Sequence, residues 1–321
     1  MSRRTEHGFT LLELLVALTL TLGIAAVMLA VTSSTLSLWR RTQDNFTVTS
    51  QAKLALDLIE KDVQSAVFRR DPNATWLALA VSNSTSGLTS RGWQLASRMK
   101  PATAESRALL PLRDDGSVDT IARARFGVAG AWIRFLSTGI ASASEGTVPR
   151  AIAYQIARRP VGGTISASNQ AEVRYALFRS NVTGATTFAN GNDVLASTYG
   201  TTLSSPSAAD ILLPNVVDFG AWLYVRDNAG ALRRIYPADA SDDLHNARDP
   251  GGVADGSRYP QIVDFMVRVL SDDGARQVAA LEQGTVTRPA GFATDAEWWW
   301  AVVEANSTVF VRRVEVKGGT Q

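Results

Sequence analysis

GFTLLELLVALTLTLGIAAV, residues 8–27, is the stretch of sequence that decides the fold. A short basic segment with Arg3 and Arg4 precedes it, and the mainly apolar run 9–31 contains one ionisable side chain, Glu13. At about 1.5 Å per residue, a helix over this run is about 35 Å long, which is enough to cross a hydrocarbon layer about 30 Å thick. Because a charged carboxylate inside such a helix costs roughly 2.5–3.5 kcal/mol of insertion free energy, Glu13 requires a partner.

The order of a glycine, an aromatic residue and a glutamate four positions later resembles the signal of type IV prepilins. Gly8, Phe9 and Glu13 occupy these places. The resemblance implies cleavage between Gly8 and Phe9 by a prepilin peptidase, which also methylates the new amine of Phe9. It further implies an assembly role for Glu13, which would neutralise the Phe9 amine of a neighbouring subunit inside an apolar bundle. Positions 9 and 13 share one helix face, and two charges that are costly alone become a pair.

Two alternatives remain for this N-terminal stretch. One is an ordinary secretory signal with a cut after Ala26, which does not explain Glu13 early in the apolar run. The other is a plain signal anchor. The apolar run has two basic residues on each side, Arg3 and Arg4 before it and Arg40 and Arg41 after it, so the charge count does not decide the orientation. The resemblance therefore decides the expected topology. It is a single pass through the bacterial inner membrane, with a cytoplasmic N-terminus and a periplasmic C-terminal domain that joins a fibre after assembly.

Composition excludes several function classes. The 321 residues include 32 Lys and Arg against 30 Asp and Glu, so no electrostatic footprint for nucleic acid is present. The chain has no cysteine, which excludes disulfides, thiolate catalysis, iron–sulfur clusters and cysteine zinc sites.

The helical pattern continues beyond the apolar run. Apolar residues recur at spacings of three and four, and charged residues occupy the other faces of the predicted helix. The apolar stripe consists of Ala52, Leu56, Ile59, Val63 and Ala66. Asp71-Pro72 is expected to end the helix. We expect one long helix, although two helices with a turn near 32–35 or 47–50 would fit the same pattern. The predicted domains are a leader (1–8), a transmembrane and assembly helix (9–31), an amphipathic continuation (32–70) and a β-rich globular domain (71–321).

Alternating apolar residues dominate the second half of the chain and predict strands. The expected strands are 76–81, 132–136, 152–156, 173–177, 217–225, 263–269 and 308–316, with hairpins over 152–177 and 217–236 and a short helix near 275–283. Asp272-Asp273-Gly274 is interpreted as a hairpin turn. One long helix packed on an antiparallel sheet body with long loops is an α+β fold.

The same order resembles the minor pseudopilins. The resemblance is nearest to the J-type subunit of type II secretion and to PilW-type minor pilins. It is carried by the helix tail LDLIEKDV (56–63) and the strand YALFR (175–179). It implies a pilin-like fold and a structural role in a fibre.

Candidates for chemistry are few. His245 is the one histidine beyond the leader, it is expected in a polar loop, and no Gly-x-Ser-x-Gly motif accompanies it, so we predict that the protein is not an enzyme. The same loop carries four carboxylates that suit Ca²⁺: Asp239, Asp242, Asp243 and Asp249. Their spacing does not match an EF-hand, and a solvated acidic loop without an ion is the favoured interpretation, so no cofactor is expected.

Three consecutive tryptophans, Trp298–Trp300, cannot all face one core, whether they lie on a helix or on a strand. At least one should lie near the surface, where it packs under a loop or meets a partner subunit.

Together these features predict a minor pilin or pseudopilin of a type II secretion or type IV pilus-like fibre, processed after Gly8 and assembled through its N-terminal helix. The expected partners are the prepilin peptidase, other pilin or pseudopilin subunits, the inner-membrane assembly machinery and membrane lipid, without nucleic acid. The alternative is an exported binding or enzymatic domain on a signal anchor.

Overall fold

A computed structural model describes residues 10–69, 73–81, 131–139, 148–160, 173–199, 203, 208–238, 244–248, 254–282, 285–293 and 295–317. The chain divides into two compact units, 1–47 and 48–321. Helix α1 spans Leu11–Gln64 without interruption, so the prediction of one long helix is confirmed. It ends six residues before the predicted limit, because the chain then pairs with a strand: Val67 N donates to Leu136 O and Ala66 bridges Ser137.

The N-terminal unit contains the apolar part of α1. Its large side chains are exposed, as Leu11 (84%) and Leu29 (72%) illustrate. This is the helix in the described part of the chain that is long and apolar enough to cross a membrane, with a mean hydropathy of 2.6 in its most apolar stretch and none of that stretch buried. The helix is consistent with membrane anchoring.

The larger unit contains two antiparallel sheets, one of six strands in the order β5-β4-β3-β2-β1-β8 and one of four in the order β10-β9-β6-β7. The strands are β1 Leu77–Val81, β2 Ala131–Ser137, β3 Arg150–Pro160, β4 Val173–Asn181, β5 Ile211–Pro214, β6 Val216–Arg226, β7 Leu232–Tyr236, β8 Leu244–Ala247, β9 Ile262–Leu270 and β10 Ser307–Glu315. The helices after α1 are α2 Gly184–Ala189, α3 Asp272–Glu282 and α4 Asp295–Ala305. The α+β class is confirmed.

Both predicted hairpins are present, since β3 pairs with β4 and β6 pairs with β7. The interpretation of Asp272-Asp273-Gly274 as a hairpin turn is wrong, because these residues form the first turn of α3. Ser271 caps this helix, its hydroxyl accepting a hydrogen bond from Gly274 N at 3.1 Å, and the two aspartates stabilise the positive end of the helix dipole.

The final turns of α1 are packed into the main core. Their buried residues repeat at intervals of three and four and join apolar residues from both sheets; they are Ala52, Ala55, Leu56, Ile59 and Val63. A second cluster lies around α4, where Trp299 and Trp300 are buried against Tyr175 of β4 and Val278 of α3. Trp298 is half-buried, so the prediction that the three indoles cannot all enter the core is confirmed.

Candidate functional site

The predicted cleavage site, Gly8 and Phe9, lies outside the described residues, whereas Glu13 lies in the first turn of α1. The Glu13 carboxylate Oε2 accepts hydrogen bonds from the backbone N–H and the hydroxyl of Thr10, both at 3.0 Å. In return, Thr10 Oγ1 accepts a hydrogen bond from Glu13 N at 3.2 Å.

This reciprocal arrangement is a capping box, in which a threonine before the helix and a glutamate three residues later each satisfy a free backbone donor of the other. The sequence signal Thr-x-x-Glu was available in residues 10–13. Within the chain, Glu13 therefore stabilises the start of α1. The same carboxylate is the one that the prepilin resemblance assigns to pairing with a partner.

Comparison with known proteins bears on this N-terminal segment. A model of the prokaryotic N-terminal methylation motif matches residues 3–32, and the chain is type IV prepilin-like. Among solved structures, the chain is similar to a type IV-like pilin from Thermus thermophilus, with 12% identity and a TM-score of 0.33 over 86% of this chain and 100% of that one. No curated protein matches the chain.

A second polar site lies where the end of α1 meets the six-stranded sheet. Asp62 is fully buried, and its carboxylate accepts hydrogen bonds from three donors: Tyr154 OH at 2.5 Å and Arg179 Nε at 2.7 Å, both to Oδ2, and Arg179 Nη2 at 3.2 Å to Oδ1. Tyr154 and Arg179 are direct neighbours on β3 and β4. We call these three residues the Asp62 cluster. Sequence analysis did not identify it.

The surroundings of the Asp62 cluster leave little free space. Ser137 Oγ donates to the main-chain oxygen of Asp62 at 2.8 Å. Gly139 lies so close that a Cβ there would stand 2.8 Å from Asp62 Oδ1, which is below any normal contact. A side chain at position 139 would therefore displace the carboxylate.

Electrostatics keeps the protons of Tyr154 and Arg179 in place. Burial, followed by the negative charge of Asp62, raises the pKa of Tyr154 well above its ordinary value. Burial alone would lower the pKa of Arg179, but its hydrogen bond to Asp62 and the charges around it outweigh burial, so the pKa rises. The Tyr154 hydroxyl therefore remains a donor and Arg179 a cation, which suits a fixed structural contact.

His245 does not lie in a loop as expected but in β8, where it is buried. Its Nε2–H donates to the main-chain oxygen of Arg258 at 2.9 Å, and its ring packs 5.8 Å from that of Tyr236. The interpretation as a loop residue is wrong because Leu244–Ala247 pairs with β1 and completes the edge of the six-stranded sheet. The imidazole therefore packs inside this edge of the sheet and is hydrogen-bonded to the main chain there.

The four carboxylates proposed for Ca²⁺, Asp239, Asp242, Asp243 and Asp249, lie outside the described residues. In the part of the chain that the structure describes, no group of three or more His, Cys, Asp or Glu side chains is placed to hold a metal ion. The calcium hypothesis stays a prediction.

Alkaline pH should destabilise the larger unit, because burial raises the pKa of four tyrosines above the ordinary value of 10.0: Tyr154, Tyr199, Tyr224 and Tyr259. Above pH 10 the unfolded chain loses tyrosine protons that the folded chain retains, so the free energy of unfolding falls as pH rises. Two arginines act in the opposite sense. Burial lowers the pKa of Arg134 to about 10 and also lowers that of Arg268, so the folded chain releases their protons first.

Since the tyrosines outnumber these arginines, we expect the free energy of unfolding to fall by about 1–3 kcal/mol between pH 9 and pH 11, as measured by urea unfolding. Tyr259→Phe removes a fully buried titrating hydroxyl and should make the decline shallower. A free energy of unfolding that stays constant over this range would contradict the prediction.

Proposed function

We propose that this chain is a structural, non-enzymatic subunit, a minor pilin or pseudopilin of a type II secretion or type IV pilus-like fibre. Cleavage after Gly8 frees the amine of Phe9, which is then methylated. The mature subunit is stored in the inner membrane through its apolar helix. Assembly then transfers this helix from lipid to the apolar centre of the fibre.

The observation that carries the proposal is the N-terminal methylation motif over residues 3–32, which overlaps the apolar, exposed start of α1 at Leu11. Side chains such as Leu18 (57% exposed) and Leu22 (61%) have nothing to pack against within the described unit. In water this surface would be strongly unfavourable, whereas lipid or the helices of other subunits would cover it.

The capping box suggests how Glu13 serves both states of the subunit. Before assembly, the carboxylate is satisfied by Thr10 of its own chain, which lowers the cost of keeping it in an apolar layer. During assembly, the Phe9 amine of a neighbouring subunit takes the carboxylate as its partner. The pair compensates two charges that would each be costly alone.

The proposed partners follow from this role. The prepilin peptidase acts on Gly8 and Phe9, other pilin or pseudopilin subunits contact the N-terminal helix, and the inner-membrane machinery drives assembly. The larger unit is periplasmic before assembly and lies on the fibre afterwards.

We expect Glu13→Ala to reduce incorporation of the subunit into fibres by more than about tenfold, because the incoming amine would then be buried without a counter-charge. Incorporation is measured by immunoblotting sheared fibres against the membrane fraction. Glu13→Gln keeps the size of the side chain but not its charge, and it should have the same effect.

The matched control is Thr10→Ala, which removes the hydroxyl of the capping box but leaves the carboxylate. It weakens the helix start by about 0.5–2 kcal/mol, and incorporation should remain substantial. If Glu13→Ala leaves incorporation unchanged, the proposed pairing is wrong. If Thr10→Ala is as severe as Glu13→Ala, Glu13 acts through the helix cap.

A further inference from the structure

We propose that the Asp62 cluster is a register lock, which selects one axial position for residues 48–64 of α1 on the sheets. The proposal concerns the larger unit by itself and is independent of processing and assembly.

The apolar stripe of α1 by itself specifies the axial position weakly. Buried positions recur every three or four residues. A shift by one turn toward the C-terminus therefore exchanges one apolar residue for another at four of the five buried positions, and Ala55 alone among them would be replaced by a polar residue, Gln51. If the helix moves four residues toward its C-terminus, the sites of Leu56, Ile59 and Val63 receive Ala52, Ala55 and Ile59, all of which are already buried. Such a shift creates cavities but buries no charge at these sites.

Asp62 distinguishes the two positions sharply. After the same shift, Leu58 would occupy its site, leaving the Arg179 guanidinium and the Tyr154 hydroxyl without their acceptor. A buried charge without a partner is far more costly than a cavity lined by smaller apolar side chains. Gly139 restricts the site sterically, because Asp62 Oδ1 lies where a Cβ at position 139 would come within 2.8 Å of it.

A second ionic contact between this part of α1 and the described strands is weaker. Arg312 of β10 binds Asp57 at 2.9 Å and also Glu60, but these side chains are between 28% and 54% exposed. Ion pairs that are exposed to water contribute little to stability, and their long side chains can adapt to a shifted helix. The described contact that is buried, bidentate and specific to one position is therefore that of Asp62.

A register lock differs from a purely stabilising contact in what its removal does. Replacing a buried ion pair by apolar side chains of similar volume often preserves stability. In coiled coils, a single buried polar residue fixes the register at a cost in stability, and we assign the same role to Asp62. The triple variant Asp62→Leu, Tyr154→Phe, Arg179→Met should therefore remain folded but occupy two axial positions.

The natural absence of cysteine makes this measurable by spin labelling of the full chain in detergent. One nitroxide is attached at Lys53→Cys and the second at Asn228→Cys or, in a separate molecule, at Phe188→Cys; all three positions are exposed. Pulsed electron paramagnetic resonance should give one distance for the parent chain. The triple variant should give a second distance, arising from a helix displacement of about 6 Å, which is four residues.

A second variant moves the carboxylate without changing the composition. Leu58→Asp combined with Asp62→Leu should shift the helix by four residues toward its C-terminus, so that the carboxylate at position 58 binds Arg179. The spin labels should then give a single distance that differs from that of the parent chain. The control replaces an exposed ion pair, Arg226→Met with Glu315→Leu, and should leave the parent distance unchanged.

A displaced or doubled distance supports the lock. An unchanged single distance in the triple variant overturns it, because the apolar stripe would then set the register. Loss of cooperative folding in the triple variant also overturns it, since the cluster would then be needed for stability rather than for position.

Discussion

Asp62→Ala should lower the free energy of unfolding of the larger unit by about 3–5 kcal/mol, the range for breaking a buried ion pair by removing one partner. The substitution leaves the Arg179 guanidinium, 16% exposed, without its counter-charge, and it removes the acceptor of the Tyr154 hydroxyl. Both donors would be held in a site built for a carboxylate. The predicted effect is a large part of the stability of an ordinary domain.

Urea unfolding of the full chain in mild detergent, followed by tryptophan fluorescence, measures this difference. The control is Glu315→Ala, which breaks an exposed ion pair with Arg226 and should cost less than about 1 kcal/mol. If the two substitutions have equal effects, the Asp62 cluster does not hold α1 to the sheet. The single substitution and the apolar triple variant differ because only the former leaves the largely buried charge of Arg179 without a partner.

Trp299→Ala should be similarly severe, costing about 3–5 kcal/mol, because it empties a fully buried site. The Trp299 ring lies edge-on to Trp300, with ring centroids 4.8 Å apart, and edge-on to Tyr175 at 6.1 Å. Its removal therefore eliminates the ring contact between α4 and β4.

The matched control for this prediction is the adjacent Trp298→Ala, which changes the same residue type one position earlier. Because Trp298 is half-buried, its loss should cost clearly less than the loss of Trp299. Scanning calorimetry measures the melting temperatures of the parent chain, Trp299→Ala and Trp298→Ala. Equal decreases in melting temperature would show that Trp299 does not anchor α4 more firmly than its neighbour does.

Local pattern was sufficient for much of the fold. The three- and four-residue spacing predicted the end of α1, and alternation predicted β6 and β9, because the apolar residues of each pattern face the main core. The opposite faces of β6 and β9 are buried as well, which the alternation did not indicate. Short or polar elements were missed. Strand β8 has four residues and contains His245, so its sequence is that of a loop, and only pairing with β1 makes it a strand. The first turn of α3 was mistaken because Asp-Asp-Gly also favours turns.

The two polar sites illustrate the same limit. Glu13 was identifiable because one acid stands out in an apolar run. Its capping partner Thr10 lies only three residues away. Asp62 was not, since in the sequence it is one charge among several on an amphipathic helix. Its partners Tyr154 and Arg179 lie 92 and 117 residues further along. Contacts across such distances are set by the topology of the sheet.

The mass of the mature N-terminus tests the central claim most directly. The protein is purified from the membrane fraction of cells that express a prepilin peptidase, digested, and its N-terminal peptide is analysed by tandem mass spectrometry. We predict a peptide that begins at Phe9 and carries one methyl group on its amine. An intact Met1, or a chain that begins after Ala26, would contradict the account and favour an anchored or secreted domain of another class.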